Sequence, residues 1–303
     1  MSLHEKILTA TGSWVCPAGV KRVELEGCGG GGGGGGGYYT TNSTNLWLSG
    51  GSGGGGARLS KVTVAVTPGV TYDVTIGAGG AGSAAVLTSS NKADDGGDTI
   101  FKINAGATLA SFTGAGGGYS GAGTTGSQLY YYRLGGQHTR FGSEEDVYSI
   151  IWLINTGDIV NYTVRPGIEP NRGGFSIGTN DTSMGTSSYG GPADVVFGAG
   201  ASYRGGAPGP DGTDSGTYRG GSGGGGGGAG AYGPGGVGAS GGNANGSGQG
   251  AFGGIAPAAG AGGANTGAGG GGGGAPGCGS SNVGVPSAGA AGGSGKLIIR
   301  WTT

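Results

Sequence analysis

Three stretches of the chain alternate strictly between apolar and polar residues. Val23 and Leu25 alternate with Arg22, Glu24 and Glu26; Val62, Val64 and Val66 with Lys61, Thr63 and Thr67; Tyr72, Val74 and Ile76 with Asp73 and Thr75. A period of two puts successive side chains on opposite faces, so each stretch predicts a strand with one face buried and a charged or threonine face in water. A closing strand, GKLIIRW at 295–301, carries Leu297, Ile299 and Trp301 on one face and is expected to pair with the N-terminal strands. Trp14 and Trp301 fall inside strands at the two ends of the chain and are assigned to the core.

Turn chemistry separates these strands, at Pro17-Ala18-Gly19 and at Pro68-Gly69. Turns are also expected at 38–49, 82–95, 124–140, 203–219 and 243–252. No segment sustains a 3.6-residue apolar period with caps, so little or no α-helix is expected.

The strand at 21–28 runs straight into nine consecutive glycines, Gly29 to Gly37. Each ordered glycine costs ~0.5–1 kcal/mol more than alanine in lost backbone freedom and brings no side chain to bury. What can order such a tract is lateral backbone hydrogen bonding between extended, three-residue-per-turn helices of the polyproline II type, with no Cβ to hold them apart. Nine residues would span roughly 28 Å at ~3.1 Å each. A second tract, Gly223 to Gly228, is expected to be ordered and buried in the same way. The predicted fold is therefore all-β, a strand-based sandwich combined with a polyglycine II helix bundle.

Composition narrows the class. Glycine is 88 of 303 residues, but there is no Gly-X-Y period and there are 11 prolines, which rules out collagen. The charged fraction is 10% and the formal net charge −1, unlike the charge-rich or proline-rich make-up of most disordered linkers. Without a basic stripe, nucleic acid is not an expected partner. The N-terminus MSLHEKILTATG has no apolar core of a secretory signal, and no stretch approaches the ~20 apolar residues of a membrane span, so no membrane insertion is expected.

The chain is expected to be a single glycine-rich domain over 1–303. Within it lie a first strand and glycine unit at 1–123, an inserted or repeated strand-rich unit at 124–204, and a glycine-helix region with the closing strand at 205–303. A faint repeat relates 61–79 to 149–167 and 98–118 to 193–206, at a level that chance also explains.

Catalytic chemistry finds little purchase. His4 and His138 are the two imidazoles, and neither sits in a nucleophile motif. Asp94, Asp95 and Asp98 lack the spacing and closing glutamate of a calcium loop and read as a solvated turn. Glu144, Glu145 and Asp146 read as a solvated loop. Cys16, Cys28 and Cys278 show no zinc spacing; Cys16 and Cys28 either face each other across the 17–20 turn or serve as small apolar fillers. The chain is expected not to be an enzyme and to need no cofactor or metal.

Aromatics in the presumed connections are better candidates. Tyr38, Tyr39, Trp47, Tyr130, Tyr131, Tyr132, Tyr218, Tyr232 and Phe252 stand among glycine, serine, threonine and asparagine. That mixture of rigid rings and adaptable polar groups is the one antibody paratopes use. Such rings either contact a receptor or seal the ends of the bundle.

Taken in order, TGSWVCPAGVKRVELEGCGGGGGGG, VTPGVTYDVTIGAGG, GGDTIFK, GGAPGPDG and the final GKLIIRW strongly resemble the glycine-rich domain of bacteriophage tail fibre and minor tail proteins. The resemblance spans almost the whole chain, and its combination of motifs is specific although any one glycine run is not. It implies packed polyglycine II helices with variable loops at a tip that touches the host. It also implies a virion location after synthesis in the host cytoplasm, with a host-surface glycan or protein and other tail proteins as partners. A related domain in some animal receptor tyrosine kinases binds protein ligands. The stretch 124–192, with Tyr130 to Tyr132, His138, Phe141, Trp152 and Tyr189, departs from the pattern. A purely structural tail subunit and a cell-surface ligand-binding module stay open as alternatives, as does self-association into a trimer.

Overall fold

The alternating stretches fold as antiparallel strands, and the glycine tracts continue them. In the computed structural model the residues described are 2–42, 45–49, 51, 53–85, 92–120, 131–133, 176–181, 196–198, 201–203, 223–243, 260–276 and 285–303. Their strands are β1 (Leu3–Leu8), β2 (Gly12–Val15), β3 (Arg22–Cys28), β4 (Tyr38–Asn42), β5 (Asn45–Ser49), β6 (Ser60–Ala65) and β7 (Thr71–Thr75). They continue with β8 (Thr99–Ile103), β9 (Thr108–Phe112), β10 (Tyr131–Arg133), β11 (Ser176–Asp181), β12 (Val196–Gly198), β13 (Ala201–Tyr203) and β14 (Lys296–Thr302). No helix occurs among the described residues, and the fold is all-β.

Two four-stranded sheets, ordered β1-β14-β3-β6 and β2-β7-β8-β9, face each other across one core. Leu25, Val23, Leu297 and Ile299 from the first sheet meet Trp14, Tyr72, Val74, Phe101 and Phe112 from the second. The Tyr72 and Phe101 rings stack at 5.0 Å, and Trp14 tilts against both and against Trp301. The core assignment holds for Trp14, while Trp301 is half-buried and packs against the core's margin. The closing strand lies inside the first sheet, with Ile299 opposite Lys6 on one side and Leu25 on the other, which agrees with its expected pairing.

Two details of the alternation differ. Val62 sits on the apolar side of β6 but is 39% exposed, because β6 is the edge strand of its sheet. Glu26, expected in water with Arg22 and Glu24, is 1% exposed, because the base of the glycine bundle covers that end of β3.

The Pro-Gly turns also act differently from hairpins. β6 pairs with β3 and β7 with β2, so the Pro68-Gly69 turn carries the chain from one sheet to the other, as the turn at 17–20 does between β2 and β3. Gly19 and Gly69 supply the left-handed φ of 81° and 77° that these crossings need. The two turns hold each other through Cys16 N–H to Val70 O (3.0 Å) and Gly69 N–H to Cys16 O (2.9 Å).

Beyond the sandwich the strands become glycine helices. β3 runs into 29–37, β7 into 77–85 and β9 into 113–120, while 51–57, 92–97 and 285–295 lead back into β6, β8 and β14. Segment 29–37 is buried throughout and none of its glycines has positive φ, as a polyproline II-type helix requires. Its N–H groups donate to three antiparallel neighbours: Gly30 and Gly33 to Gly97 and Asp94, Gly31 and Gly34 to Gly293 and Ala290, Gly32 to Gly55. Its carbonyls accept from three parallel ones: Gly31 and Gly34 from Gly80 and Ser83, Gly30 and Gly33 from Ala115 and Gly118, Gly32 and Gly35 from Gly270 and Gly273.

The period is three, and it explains the composition. A Cβ on Gly30, Gly33 or Gly36 would overlap the carbonyls of Ala78, Ala81 and Ala84; on Gly32 or Gly35, those of Gly116 and Tyr119; on Gly31, Gly34 or Gly37, those of Ala268, Gly271 and Gly274. Every side of this helix is another backbone, so no L side chain fits. Segment 267–276 is a second centre, donating to 223–230, 29–37 and Gly260 and accepting from 51–57, 233–243 and 285–295. The second tract, Gly223 to Gly228, is likewise ordered and buried.

Several expected turns therefore take other forms. Residues 38–49 hold the paired strands β4 and β5, and the 124–140 stretch contains β10. Parts of 82–95 belong to the bundle. Asp94 is exposed as expected, but Asp95 and, just beyond, Asp98 accept the N–H groups of Gly117 (2.8 Å) and Gly114 (2.9 Å). They satisfy backbone donors that no glycine helix covers. The turn at 203–219 beyond Tyr203, that at 243–252 beyond Asn243, and the 149–167 half of the repeat lie outside the described residues; of 193–206, β12 and β13 form an antiparallel pair. Cys16 lies in the sandwich core and Cys28 at the base of the bundle; both are free thiols filling apolar space. Cys278 lies outside the described residues.

Candidate functional site

The glycine bundle is polar in direction. Segments 29–37, 77–85, 113–120, 233–243 and 267–276 run away from the sandwich, and 51–57, 92–97, 223–230, 260–263 and 285–295 run back. The chain thus leaves the bundle at its far end at Gly37, Ala85, Ser120, Asn243 and Pro276. At that end the Ser83 and Ser120 hydroxyls lie 2.8 Å apart and both receive the Gly36 N–H, at 2.7 and 3.3 Å, closing the last turn of the central helix.

Five of the nine aromatic candidates occupy one sheet that begins there. It is ordered β10-β11-β5-β4, and β4 starts at the residue after Gly37. Tyr38 and Tyr39 lie on β4, Trp47 on β5, and Tyr131 and Tyr132 on β10. The register sets Trp47 beside Thr40 and Asn180, Tyr39 beside Leu48, and Tyr132 beside Ile177. Tyr130, Tyr218 and Phe252 lie outside the described residues, as do His138, Phe141, Trp152, Tyr189, Glu144, Glu145 and Asp146.

Tyr232 belongs to the opposite end. It sits in the tight turn where 223–230 reverses into 233–243, closed by Gly230 N–H to Gly233 O at 2.9 Å, against the sandwich. Its hydroxyl donates to Glu26 Oε1 (3.3 Å), and Lys296 Nζ lies 4.3 Å from its ring centre. Glu26 Oε2 receives Lys61 Nζ and Arg300 Nη1, both at 2.7 Å, and Arg300 also holds Glu5 through Nε at 2.7 Å and reaches Glu24 at 3.4 Å. The ladder follows the register, in which Arg300 stands opposite Glu5 and Glu24 and Lys61 opposite Glu26.

Electrostatics make this base a fixed joint. Burial alone would push the Glu26 carboxyl up, yet hydrogen bonds and charge from Lys61 and Arg300 outweigh it and hold it below its ordinary value. The Tyr232 phenol is pushed up by burial and by the Glu26 carboxylate, so it stays protonated and donates. Burial pushes the Cys28 thiol up to about 12 and raises that of Cys16, leaving neither as a thiolate at neutral pH. His4 stacks on Trp301 at 5.6 Å and meets Thr303 Oγ1 at 2.9 Å. Among the described residues no cluster of His, Cys, Asp and Glu is grouped to hold a metal ion, and no helix is long and apolar enough to cross a membrane.

Sequence reading did not anticipate the Glu26, Arg300, Lys61 and Tyr232 network. Its signal was the position of Glu26, the last charged residue before the chain turns to glycine, where a strand face must meet the base of the bundle. No protein-family model matches the chain, and no curated protein matches its sequence.

Proposed function

We propose that the chain is a non-enzymatic bacteriophage tail component that binds the host cell surface, a glycan or a protein, through the connections at the far end of its glycine bundle. The observation that carries this reading is the bundle's polarity. Every outward helix exits on the side away from the sandwich, and eight of the nine aromatic candidates, all but Tyr232, fall in the connections that follow those exits. The tract 29–37 sets that end roughly 28 Å from the sandwich at ~3.1 Å per residue. The order of motifs shared with phage tail glycine-rich domains supports the same reading, with the sandwich end left for other tail proteins.

Adsorption per assembled virion tests it. Trp47→Ala, and separately a joint Tyr130/Tyr131/Tyr132→Ala change, should lower adsorption while particle yield stays normal. Loss of one aromatic anchor at ~2 kcal/mol weakens binding roughly 30-fold. Unchanged adsorption by both variants would exclude the adhesive role, and a fall in yield with normal adsorption would point to a structural subunit.

A further inference from the structure

At Gly36 the donor series of the central helix changes its acceptor. Gly30 and Gly33 donate to the carbonyls of Gly97 and Asp94 on segment 92–97. Gly36 is the next residue of that series, and it donates to two hydroxyls, Ser83 Oγ at 2.7 Å and Ser120 Oγ at 3.3 Å. The hydroxyls are bonded to each other at 2.8 Å, and both serines are buried.

Both serines stand one step beyond positions where the period of three demands glycine. On 77–85, a Cβ at Gly77 or Gly80 would overlap the carbonyls of Gly97 and Asp94, and Ser83 is the next step of that series. On 113–120, a Cβ at Gly114 or Gly117 would overlap the carbonyls of Gly96 and Ala93, and Ser120 is the next step. Two helices that flank 92–97 thus each place a serine on the side that lies against 92–97 one turn nearer the sandwich, and the two converge on one N–H. Alanine at both positions would leave that buried donor without an acceptor.

What this N–H governs is the exit of the chain from the bundle. A glycine helix has no side chains to wedge it in place, and a glycine whose backbone bonds are lost is a swivel. The last two residues of the central helix are held by Ser83 and Ser120 at Gly36 and by the Ser287 carbonyl at Gly37 (2.8 Å). Tyr38 opens β4 immediately beyond them, and Trp47 follows on the strand paired with it. We infer that Ser83 and Ser120 are positioning residues for recognition: by fixing Gly36 they set the direction in which β4 and its aromatic sheet leave the bundle. The inference rests on the adhesive reading above and adds the groups that preorganise its surface.

The test compares Ser120→Ala, Ser83→Ala and the double variant with wild type, by adsorption per assembled virion and by amide hydrogen exchange of the full chain. Ser120→Ala keeps the shorter bond and should match wild type. The double variant should lose adsorption about fivefold, the size of one preorganising hydrogen bond, with Ser83→Ala in between. Exchange in the double variant should rise at 36–49 while 29–34 and the strands of the sandwich stay protected. Unchanged adsorption by the double variant overturns the inference; where Trp47→Ala still lowers adsorption the adhesive reading stands without it, and where the Trp47 and tyrosine variants also adsorb normally both fall. Faster exchange along the whole bundle overturns it too, since the serines would then hold the lattice together and not aim its exit. If the double variant does not fold, Ser83→Ala alone is judged by the same two measurements, and wild-type values in both overturn the inference.

Discussion

Gly33→Ala places one methyl group at the centre of the glycine lattice. The added carbon would lie well inside 3.0 Å of the Ala81 carbonyl, closer than real Cβ atoms come to anything, and the obstacle is backbone and not a movable side chain. Segment 77–85 must then retreat by on the order of 1 Å to restore ordinary contact. That retreat stretches Gly80 N–H to Gly31 O (2.8 Å) and Ser83 N–H to Gly34 O (3.0 Å) past hydrogen-bonding range. Each bond contributes ~0.5–1.5 kcal/mol, and each donor left buried without a partner costs ~1–3 kcal/mol. Against this, alanine at a negative φ recovers ~0.4–1 kcal/mol by restricting the unfolded chain. The expected net loss is about 4 kcal/mol, a large share of the ~5–15 kcal/mol that holds a typical protein. The comparison is Gly263→Ala, exposed at the rim, whose Cβ would meet only the Thr266 side chain at 3.3 Å and should change stability by less than ~1 kcal/mol. Urea unfolding of the two variants beside wild type measures both. A Gly33→Ala protein within ~1 kcal/mol of wild type, or a Gly263→Ala protein equally damaged, would refute the close-approach argument.

Three other outcomes follow from the joint at the base, and a fourth from the sheet order. Glu26→Gln leaves a half-exposed Lys61 and an Arg300 still paired with Glu5 beside a neutral amide, and should cost ~1–3 kcal/mol in urea unfolding, the range for lost hydrogen bonds to a charged group. Because the folded carboxyl is held below its ordinary value of 4.5, the stability it contributes is present above that pH and drains away as the pH falls through the lower folded value; the wild-type acid slope below about pH 5 should be reduced in Glu26→Gln. Tyr232 has the opposite sense: its folded value lies above the ordinary 10, so its contribution is intact below pH 10 and is lost as the pH rises beyond, and Tyr232→Phe should remove that part of the alkaline slope in unfolding titrations. Deleting 296–303 takes out an interior strand bonded on both edges, and the truncated chain should appear in the insoluble fraction; a soluble product with a wild-type melting curve would contradict the sheet order.

Period two was legible in the residues, and so was the meaning of the glycine run; what lies between elements was not. Alternation tells which side of a strand is apolar but not which strand it pairs with. Alternation and turn chemistry therefore gave no sign that the Pro68-Gly69 turn crosses between sheets. Glu26 looked solvated because a two-residue period knows nothing of the bundle base that covers it. The lattice left a further signal in plain view: in GAGGAGSAA at 77–85 the alanines at 78, 81 and 84 mark one outward side of a three-residue period, and each glycine between them lies against another backbone. Which connections share an end followed from counting directions once the lattice was known. The pairing of β5 with β11, across more than a hundred residues, had no local trace at all.

The hand-over between the two periods explains how one chain supports both layers. Stacked sheets stand ~10 Å apart because side chains fill the gap. In the bundle, helix 29–37 from the first sheet bonds directly to 77–85 and 113–120 from the second at 2.8–3.0 Å, so the gap has closed to backbone contact. The closure occurs over one turn. Leu25 and Phe101 still fill the core; then Gly27, Gly77 and Gly295 replace side chains, and Thr99, fully buried, accepts the Gly77 N–H through its hydroxyl at 3.0 Å. Glu26 and Cys28 face outward at the same level and are capped by Tyr232 and Ala57. From there to the far end, order depends mainly on backbone groups that every residue possesses and on close approach without Cβ, with a few side chains, Asp95, Asp98, Ser83, Ser120 and Ser287, taking the backbone donors that no neighbouring helix covers. Each connection at the far end begins and ends on a lattice segment whose backbone bonds do not use the connection's own side chains, the condition under which a recognition surface can change while its support stays the same.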